Sequence, residues 1–165
     1  MRNPIKVVVA LLLVALLIPV NTAMASETLP SSTAIHKTDL YGVWYINLNE
    51  ENSQGMALLV LDAKGTATDY LIVGDHDTSQ KIIQKSSWSY DAERNLFEQT
   101  VTEVSIQKGE SAPVVSHPHE VIRASISLAK LGNEVIGIKF KRDDGELTGY
   151  LKGTERMLDE ITKNQ

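Results

Sequence analysis

Hydrophobic and polar residues alternate with a period of two along most of this chain. Eight apolar-rich runs follow one another, at residues 40–48, 55–61, 66–73, 81–90, 96–106, 120–128, 135–141 and 147–152. In the sixth run, four apolar side chains share one face, while Arg123, Ser125 and Ser127 take the other. This period is typical of β-strands with one buried and one solvent-exposed face.

Strong turn signals connect these runs. Residues 62–65 (DAKG), 131–133 (LGN) and 143–145 (DDG) are typical of hairpins, and residues 91–95 (DAERN) fit a longer hairpin loop. The one predicted helix, residues 154–163, is too short to cover eight strands, so the sheet must close on itself. We therefore predict an all-β fold: an eight-stranded antiparallel up-and-down barrel with a short C-terminal helix.

The first 25 residues have the pattern of a secretory signal peptide. Arg2 and Lys6 form a basic start, residues 7–20 are almost entirely apolar, and Ala23 and Ala25 supply small residues before a cleavage site. We divide the chain into a signal peptide (1–25), a flexible N-terminal arm (26–38) and a barrel domain (39–165). A periplasmic or secreted protein follows, without stable membrane insertion after signal cleavage. An uncleaved anchor is the alternative, but the apolar run is shorter than the roughly 20 residues that a span needs.

Composition narrows the possible partners and chemistry. The chain contains no cysteine, which excludes disulfides, thiol nucleophiles and thiolate metal sites. Removing Arg2 and Lys6 with the signal peptide leaves 14 basic residues against 21 acidic ones, a net charge near −7. No basic cluster remains, so we expect no nucleic-acid partner.

The first run also carries the motif on which a family resemblance depends. Period two places Gly42 and Trp44 on one face, where the glycine leaves room beside the large ring. This G-x-W motif resembles the signature of the lipocalin superfamily, and the strand count, hairpin order, mature length and short C-terminal helix are similar as well. The letters TDY at 68–70 also occur in that family, but here they lie too early in the chain to count.

The resemblance implies a barrel that typically binds small apolar ligands. It also implies a structural plug at one end, formed by Gly42 and Trp44 with a basic residue over the ring. Lys152 or Arg156 fits that place, through a cation–π contact. The alternative is a plain core tryptophan in another β-barrel or sandwich.

The inward faces predict a candidate ligand site. As ligand-binding residues we choose Met56 and Leu58 on the second run, Trp88 and Tyr90 on the fourth, and Phe140 on the seventh. Other candidate inward residues are Val60, Leu71, Val73 and Ile82. In the fifth run, Glu98, Thr100 and Thr102 share a face with Leu96, Val104 and Ile106; a polar stripe facing inward suits a partly wet cavity. A shift of one residue in the assignment of the second, third or fifth run would exchange its inward and outward faces. A small barrel filled by its own side chains is the alternative.

We predict no enzymatic activity, because no motif for a nucleophile, a zinc-binding helix or a phosphate loop is present. His117 and His119 form an H-x-H arrangement to which Glu120, Asp75 or Asp77 could add a third ligand. Two histidines do not fill a tetrahedral site, so we predict no metal and no cofactor. Residues 75–79 (DHDTS) are interpreted as a loop at one end of the barrel.

These observations lead to two functional hypotheses. The first is an exported binding protein that holds a small hydrophobic or amphipathic molecule in the barrel. The second is an envelope protein-interaction module, an inhibitor or assembly accessory, with a filled barrel. In that case residues 107–119 (QKGESAPVVSHPH), a connection that is long for a hairpin, would contact the protein partner.

Overall fold

The computed structural model describes residues 34–50, 53–74 and 79–163. The predicted signal peptide and most of the predicted arm lie outside these described residues. A 3-10 turn at Lys37–Leu40 precedes the strands. The other elements are β1 (Gly42–Glu50), β2 (Ser53–Leu61), β3 (Thr66–Val73), β4 (Gln80–Asp91), β5 (Leu96–Lys108), β6 (Val114–Ser116), β7 (Val121–Leu131), β8 (Glu134–Arg142), β9 (Leu147–Lys152) and the helix α1 (Glu155–Thr162).

Eight of the strands close into an antiparallel barrel. Each pairs with its neighbour along the chain, and β1 pairs with β9, where Trp44 lies opposite Lys152. The long strand β5 pairs with β4 along one edge; along its other edge, its first part pairs with β7 and its last part with β6. The predicted eight-stranded up-and-down barrel with a short C-terminal helix is confirmed. The short β6 adds a ninth strand inside the long connection at 107–119.

The turns form where their residues predict them. Asp62 Oδ1 accepts hydrogen bonds from the backbone nitrogens of Lys64 and Thr66, at 2.9 and 2.7 Å. Between them Gly65 has a φ of +85°, in the left-handed region that glycine tolerates best. Such side-chain bonds to the backbone stabilise the turn locally, before the strands pair.

Two register shifts rotate the faces of the strands. On β5, Glu103 lies opposite Lys85 but Val101 opposite Ser86, so Thr102 is an extra residue. On β8, Val135 lies opposite Lys130 and Gly137 opposite Ala129, which leaves Ile136 as an extra residue, 37% exposed. Each bulge moves the inward position by one residue.

The β5 bulge explains why the fifth face was predicted only in part. Val104 is buried inside as expected, with Ile106 packed against the same cluster. Before the bulge, however, the inward residues are Phe97, Gln99 and Val101, which are at most 6% exposed. The predicted inward positions of Leu96, Glu98, Thr100 and Thr102 are therefore wrong. A bulge leaves no clear mark in the polar–apolar pattern.

The helix α1 packs against the outer face of β1, β2 and β3. Ile161 is 6% exposed and is buried with Val43 and Leu58, and Met56 packs around them. The prediction that Met56, Leu58 and Val60 face inward is wrong. The inward residues of β2 are Ala57, Leu59 and Leu61. Both faces of β2 are apolar because the helix covers one of them, so the sequence has no polar side to indicate the direction.

Trp44 closes the end of the barrel at which β1 begins, called here the plug end. Its buried ring donates a hydrogen bond of 2.8 Å from Nε1 to the carbonyl of Leu40. The Nζ of Lys152 lies 4.0 Å from the centroid of this ring and donates to the carbonyl of Tyr41 at 2.7 Å. Partial burial lowers the pKa of Lys152. The cation–π contact thus fixes β9 to the start of β1.

Two features of the plug differ from the prediction. Arg156 does not pack over Trp44: its side chain is 86% exposed and pairs with Glu160 at 3.0 Å. Gly42 has a φ of +123°, and a Cβ there would lie 2.9 Å from Lys152 Nζ. The room that Gly42 leaves is therefore occupied by the lysine that covers the ring.

Two apolar clusters line the barrel interior. The plug-end cluster contains Leu40, Trp44, Leu59, Leu61, Ala67, Trp88, Phe97, Ala124, Ile126, Ile138 and Phe140. The far-end cluster contains Leu48, Ala57, Leu71, Ile82, Val101, Val104 and Ile122. Ile35 packs against the plug-end cluster and Lys37 Nζ lies 4.8 Å from the Trp88 ring, so the last residues of the predicted arm contact the barrel. Among the residues that the structure describes, neither the 3-10 turn nor α1 has the length and apolar character of a transmembrane span.

Candidate functional site

A cavity lies inside the barrel where the two apolar clusters meet. It offers about 60 Å³ to the centres of water molecules. Because one water needs roughly 10–15 Å³ by this measure, there is room for about five waters or an organic group of similar size. The apolar wall includes Leu48, Ala57, Leu59, Leu71, Phe97, Ile122, Ala124 and Phe140, and the polar wall includes Asp69, Gln84, Gln99, Arg142, Thr148 and Tyr150.

Asp69 is the centre of the polar wall. It lies on β3 between the inward residues Ala67 and Leu71, and its Oδ2 accepts two amide hydrogen bonds. Gln99 Nε2 donates at 2.7 Å and Gln84 Nε2 at 3.2 Å. Both glutamines are at most 6% exposed. These bonds hold the carboxyl group in a fixed position in the barrel interior.

The pKa of Asp69 is raised from 3.8 to about 6. Burial disfavours the charged form, and the hydrogen bonds from Gln99 and Gln84 offset only part of that effect. At pH 7 the carboxyl group is ionised in about nine molecules of ten. The cavity therefore holds a negative charge at neutral pH.

Gln84 carries a buried oxygen without a partner. Its side chain is 4% exposed, and among the described residues Oε1 accepts no hydrogen bond. The cause is the neighbouring carboxylate, which attracts the amide NH₂ group and so turns Oε1 away. A buried unpaired acceptor costs on the order of 1–3 kcal/mol.

On the side of the cavity formed by β8 and β9, carboxylates compensate the positive charge of Arg142. Arg142 Nη1 lies 2.8 Å from Glu146 Oε2, and Arg142 Nη2 lies 3.5 Å from Asp144 Oδ2. Tyr150 on β9 lines the same cavity, with its ring centroid 5.9 Å from that of Phe140. Burial raises the pKa of Tyr150, and the charges of Asp69 and Glu146 raise it further, so its hydroxyl group stays protonated.

The structure brings only part of the predicted ligand site together. Phe140 lines the cavity, with its ring centroid 5.0 Å from that of Phe97. Trp88 and Tyr90 face inward as predicted but pack at the plug end, below the cavity, where Trp88 stacks on Phe97 at 5.8 Å. Met56 lies on the outer face. Leu58 borders the cavity, but its side chain packs under α1, because neighbouring side chains of a strand point to opposite faces.

The polar wall was missed, although part of its signal is in the sequence. With Leu71 on the inner face, period two places Asp69 there too, and Ile82 does the same for Gln84. A charged or amide side chain on a buried face is a signal of a functional site. Gln99 could not be found this way, because the β5 bulge reverses its face.

The predicted H-x-H arrangement does not form an extended pair. The ring Nδ1 of His117 lies 3.0 Å from the carbonyl oxygen of Thr102, and His119 has a φ of +52°, outside the extended region. Within residues 34–50, 53–74 and 79–163, no three metal-ligating side chains come together. Residues 75–78, which include Asp75 and Asp77, lie outside the described residues.

No protein-family model, no curated protein and no solved structure matches the chain. The fold itself defines the class: a closed eight-stranded antiparallel β-barrel with an internal cavity that has one apolar and one polar wall.

Proposed function

We propose that this chain is a lipocalin-like, exported binding protein that holds a small amphipathic molecule inside its barrel. The observation that carries the proposal is the cavity, which has apolar residues on one side and the Asp69–Gln84–Gln99 group on the other. A barrel that serves only as a core is expected to fill this space with apolar side chains. Buried polar groups instead give a ligand its orientation.

The plug supports the lipocalin-like assignment. Trp44 on the first strand, under a lysine from the last strand, matches the arrangement that the G-x-W resemblance implies. With this end closed, we propose that a ligand enters from the far end. Drug-sized ligands occupy pockets of roughly 300–1,000 Å³, so the occupant, or the part of it inside, is small.

The test is a titration of ¹⁵N-labelled protein with 1-hexanol, followed by NMR. Saturable shifts confined to cavity residues support the proposal. In Ala124→Leu the new side chain fills the cavity, and these shifts should disappear; Ala57→Leu is a second filling variant in case the first is overpacked. The same substitution at the exposed turn residue Ala92 is the control. Shifts that persist in both filling variants would place binding elsewhere and contradict the proposal.

A protein-interaction module remains the second candidate because of β6. Val114 and Val115 are 66% and 51% exposed, and in the described residues β6 pairs only with β5. An exposed apolar edge strand can accept a strand from another protein. To test this function, the protein is expressed in its native host with a photo-crosslinking amino acid at position 115. The same amino acid at position 130 is the control for non-specific crosslinking, and a Val115→Asp variant is added as competitor. Equal crosslinking at both positions would contradict it.

A further inference from the structure

We propose that the cavity selects small molecules that carry a protonated amine, with the ammonium group against the carboxylate of Asp69. This inference rests on the proposed function and names the chemical class of its ligand. Two observations carry it: a carboxylate on the cavity wall that is held by neutral amides, and the hydrogen-bond acceptors that this wall offers.

The first observation concerns charge. Asp69 and Arg142 are the ionisable side chains of the cavity wall that carry a charge at neutral pH. Arg142 is engaged by Glu146 at 2.8 Å and Asp144 at 3.5 Å, whereas Asp69 is held only by the neutral amides of Gln84 and Gln99. The remaining charge in the interior is therefore negative. A cation is attracted to it, and an anion is repelled.

The second observation concerns hydrogen-bond type. The carboxylate of Asp69 and the hydroxyl oxygen of Tyr150 are both acceptors and lie on the cavity wall. A primary ammonium carries three donors and no acceptor, so it can bond to Asp69 and direct further donors to the Tyr150 hydroxyl oxygen or a water. A buried ion pair is stable only when such additional bonds accompany it. A carboxylate ligand would meet these same acceptors with no donor to offer.

The apolar wall limits the rest of the molecule. With room for about five waters, the enclosed group has about five heavy atoms. Phe140, Ala124 and Leu71 are suited to a short alkyl tail, which gains free energy by leaving water. An ammonium group on a tail of about four carbons fits both the volume and the two kinds of wall.

The experiment compares three probes of one size: n-butylammonium, 1-butanol and butyrate. Each is titrated into the ¹⁵N-labelled full barrel domain at pH 7.5, and affinities are read from the shifts of cavity residues. We expect n-butylammonium to bind about tenfold or more tightly than 1-butanol, because charge-assisted hydrogen bonds are roughly twice as strong as neutral ones, and butyrate not to bind.

Two variants separate the site from a general attraction of cations to an acidic protein. Asp69→Asn should remove the preference for n-butylammonium while 1-butanol still binds. Asp159→Asn, which removes an exposed charge on α1, should keep the preference. If 1-butanol binds as well as n-butylammonium, or if the preference survives in Asp69→Asn, this inference is overturned and the proposed function stands. If none of the probes shifts the cavity residues, both are overturned.

Discussion

Replacing Asp69 with asparagine should make the barrel more stable at neutral pH and remove a pH dependence. Asparagine has nearly the same shape as the protonated carboxyl group, and its oxygen can still accept from Gln84 and Gln99. Because asparagine carries no charge, the free energy needed to bury a carboxylate no longer reduces the stability of the barrel.

The expected change in the free energy of unfolding follows from the pKa of Asp69. In the unfolded chain this group titrates near 3.8, and in the barrel near 6. The folded state therefore holds the proton more tightly, and this group's contribution to stability falls as the pH rises from about 4 to 6. The full change is about 3 kcal/mol, since one pKa unit corresponds to about 1.4 kcal/mol. Arg142, Glu146 and Tyr150, the other ionisable groups around the cavity, are unchanged in the variant.

The assay is urea unfolding of the parent, Asp69→Asn and Asp159→Asn, followed by the fluorescence of the two buried tryptophans between about pH 4 and pH 8. We expect Asp69→Asn to match the parent near pH 4 and to exceed it by as much as about 3 kcal/mol above pH 7. Asp159→Asn should follow the parent throughout. An Asp69→Asn variant that is less stable than the parent at pH 7.5, with the same pH slope, would refute the reasoning, because the buried charge would then be well stabilised.

Three further changes test the plug and the outer cluster by urea unfolding. Lys152→Met should lower the free energy of unfolding by about 1–2 kcal/mol, because it loses the cation–π contact with Trp44 and a hydrogen bond. Arg156→Ala should change it by less than about 0.5 kcal/mol. Equal losses in the two variants would contradict the assignment of Lys152 to the plug. Gly42→Ala should destabilise by more than about 1 kcal/mol, since its φ is positive and its Cβ would meet Lys152; an unchanged unfolding midpoint would contradict this contact. Leu58→Ala should lower the free energy of unfolding by about 2–5 kcal/mol, because packing under α1 is lost. The affinity for 1-hexanol should change by no more than about twofold. A large loss of affinity would mean that Leu58 faces the ligand.

The barrel was predictable because alternation and turn chemistry agree along most of the chain. In β7, for example, Ser125 and Ser127 are exposed and Ile126 is buried, as period two requires. Prediction failed where a strand has two apolar faces, as Met56 and Leu58 show, or where a bulge moves the face, as Gln99 shows. Whether a cavity remains between side chains depends on packing, which a pattern of positions does not describe.

The contact between Asp69 and Gln84 at the cavity also depends on tertiary structure. The residues are 15 positions apart and meet only because β3 and β4 pair in a register that places Asp69 opposite Gln84. The TDY letters at 68–70 suggested nothing about this role, since their place in the chain departs from the family's pattern. The inward position of Asp69, rather than its motif, is the informative signal.

Native mass spectrometry of the mature protein purified from its own host, with extraction of any bound molecule, shows directly whether the barrel holds a ligand. We expect one small amphipathic molecule per chain, retained by the Ala92→Leu control and lost from Ala124→Leu. A bare polypeptide mass in every preparation, together with no uptake of short-chain amphiphiles in titration, would contradict the claim that the barrel interior is a ligand site.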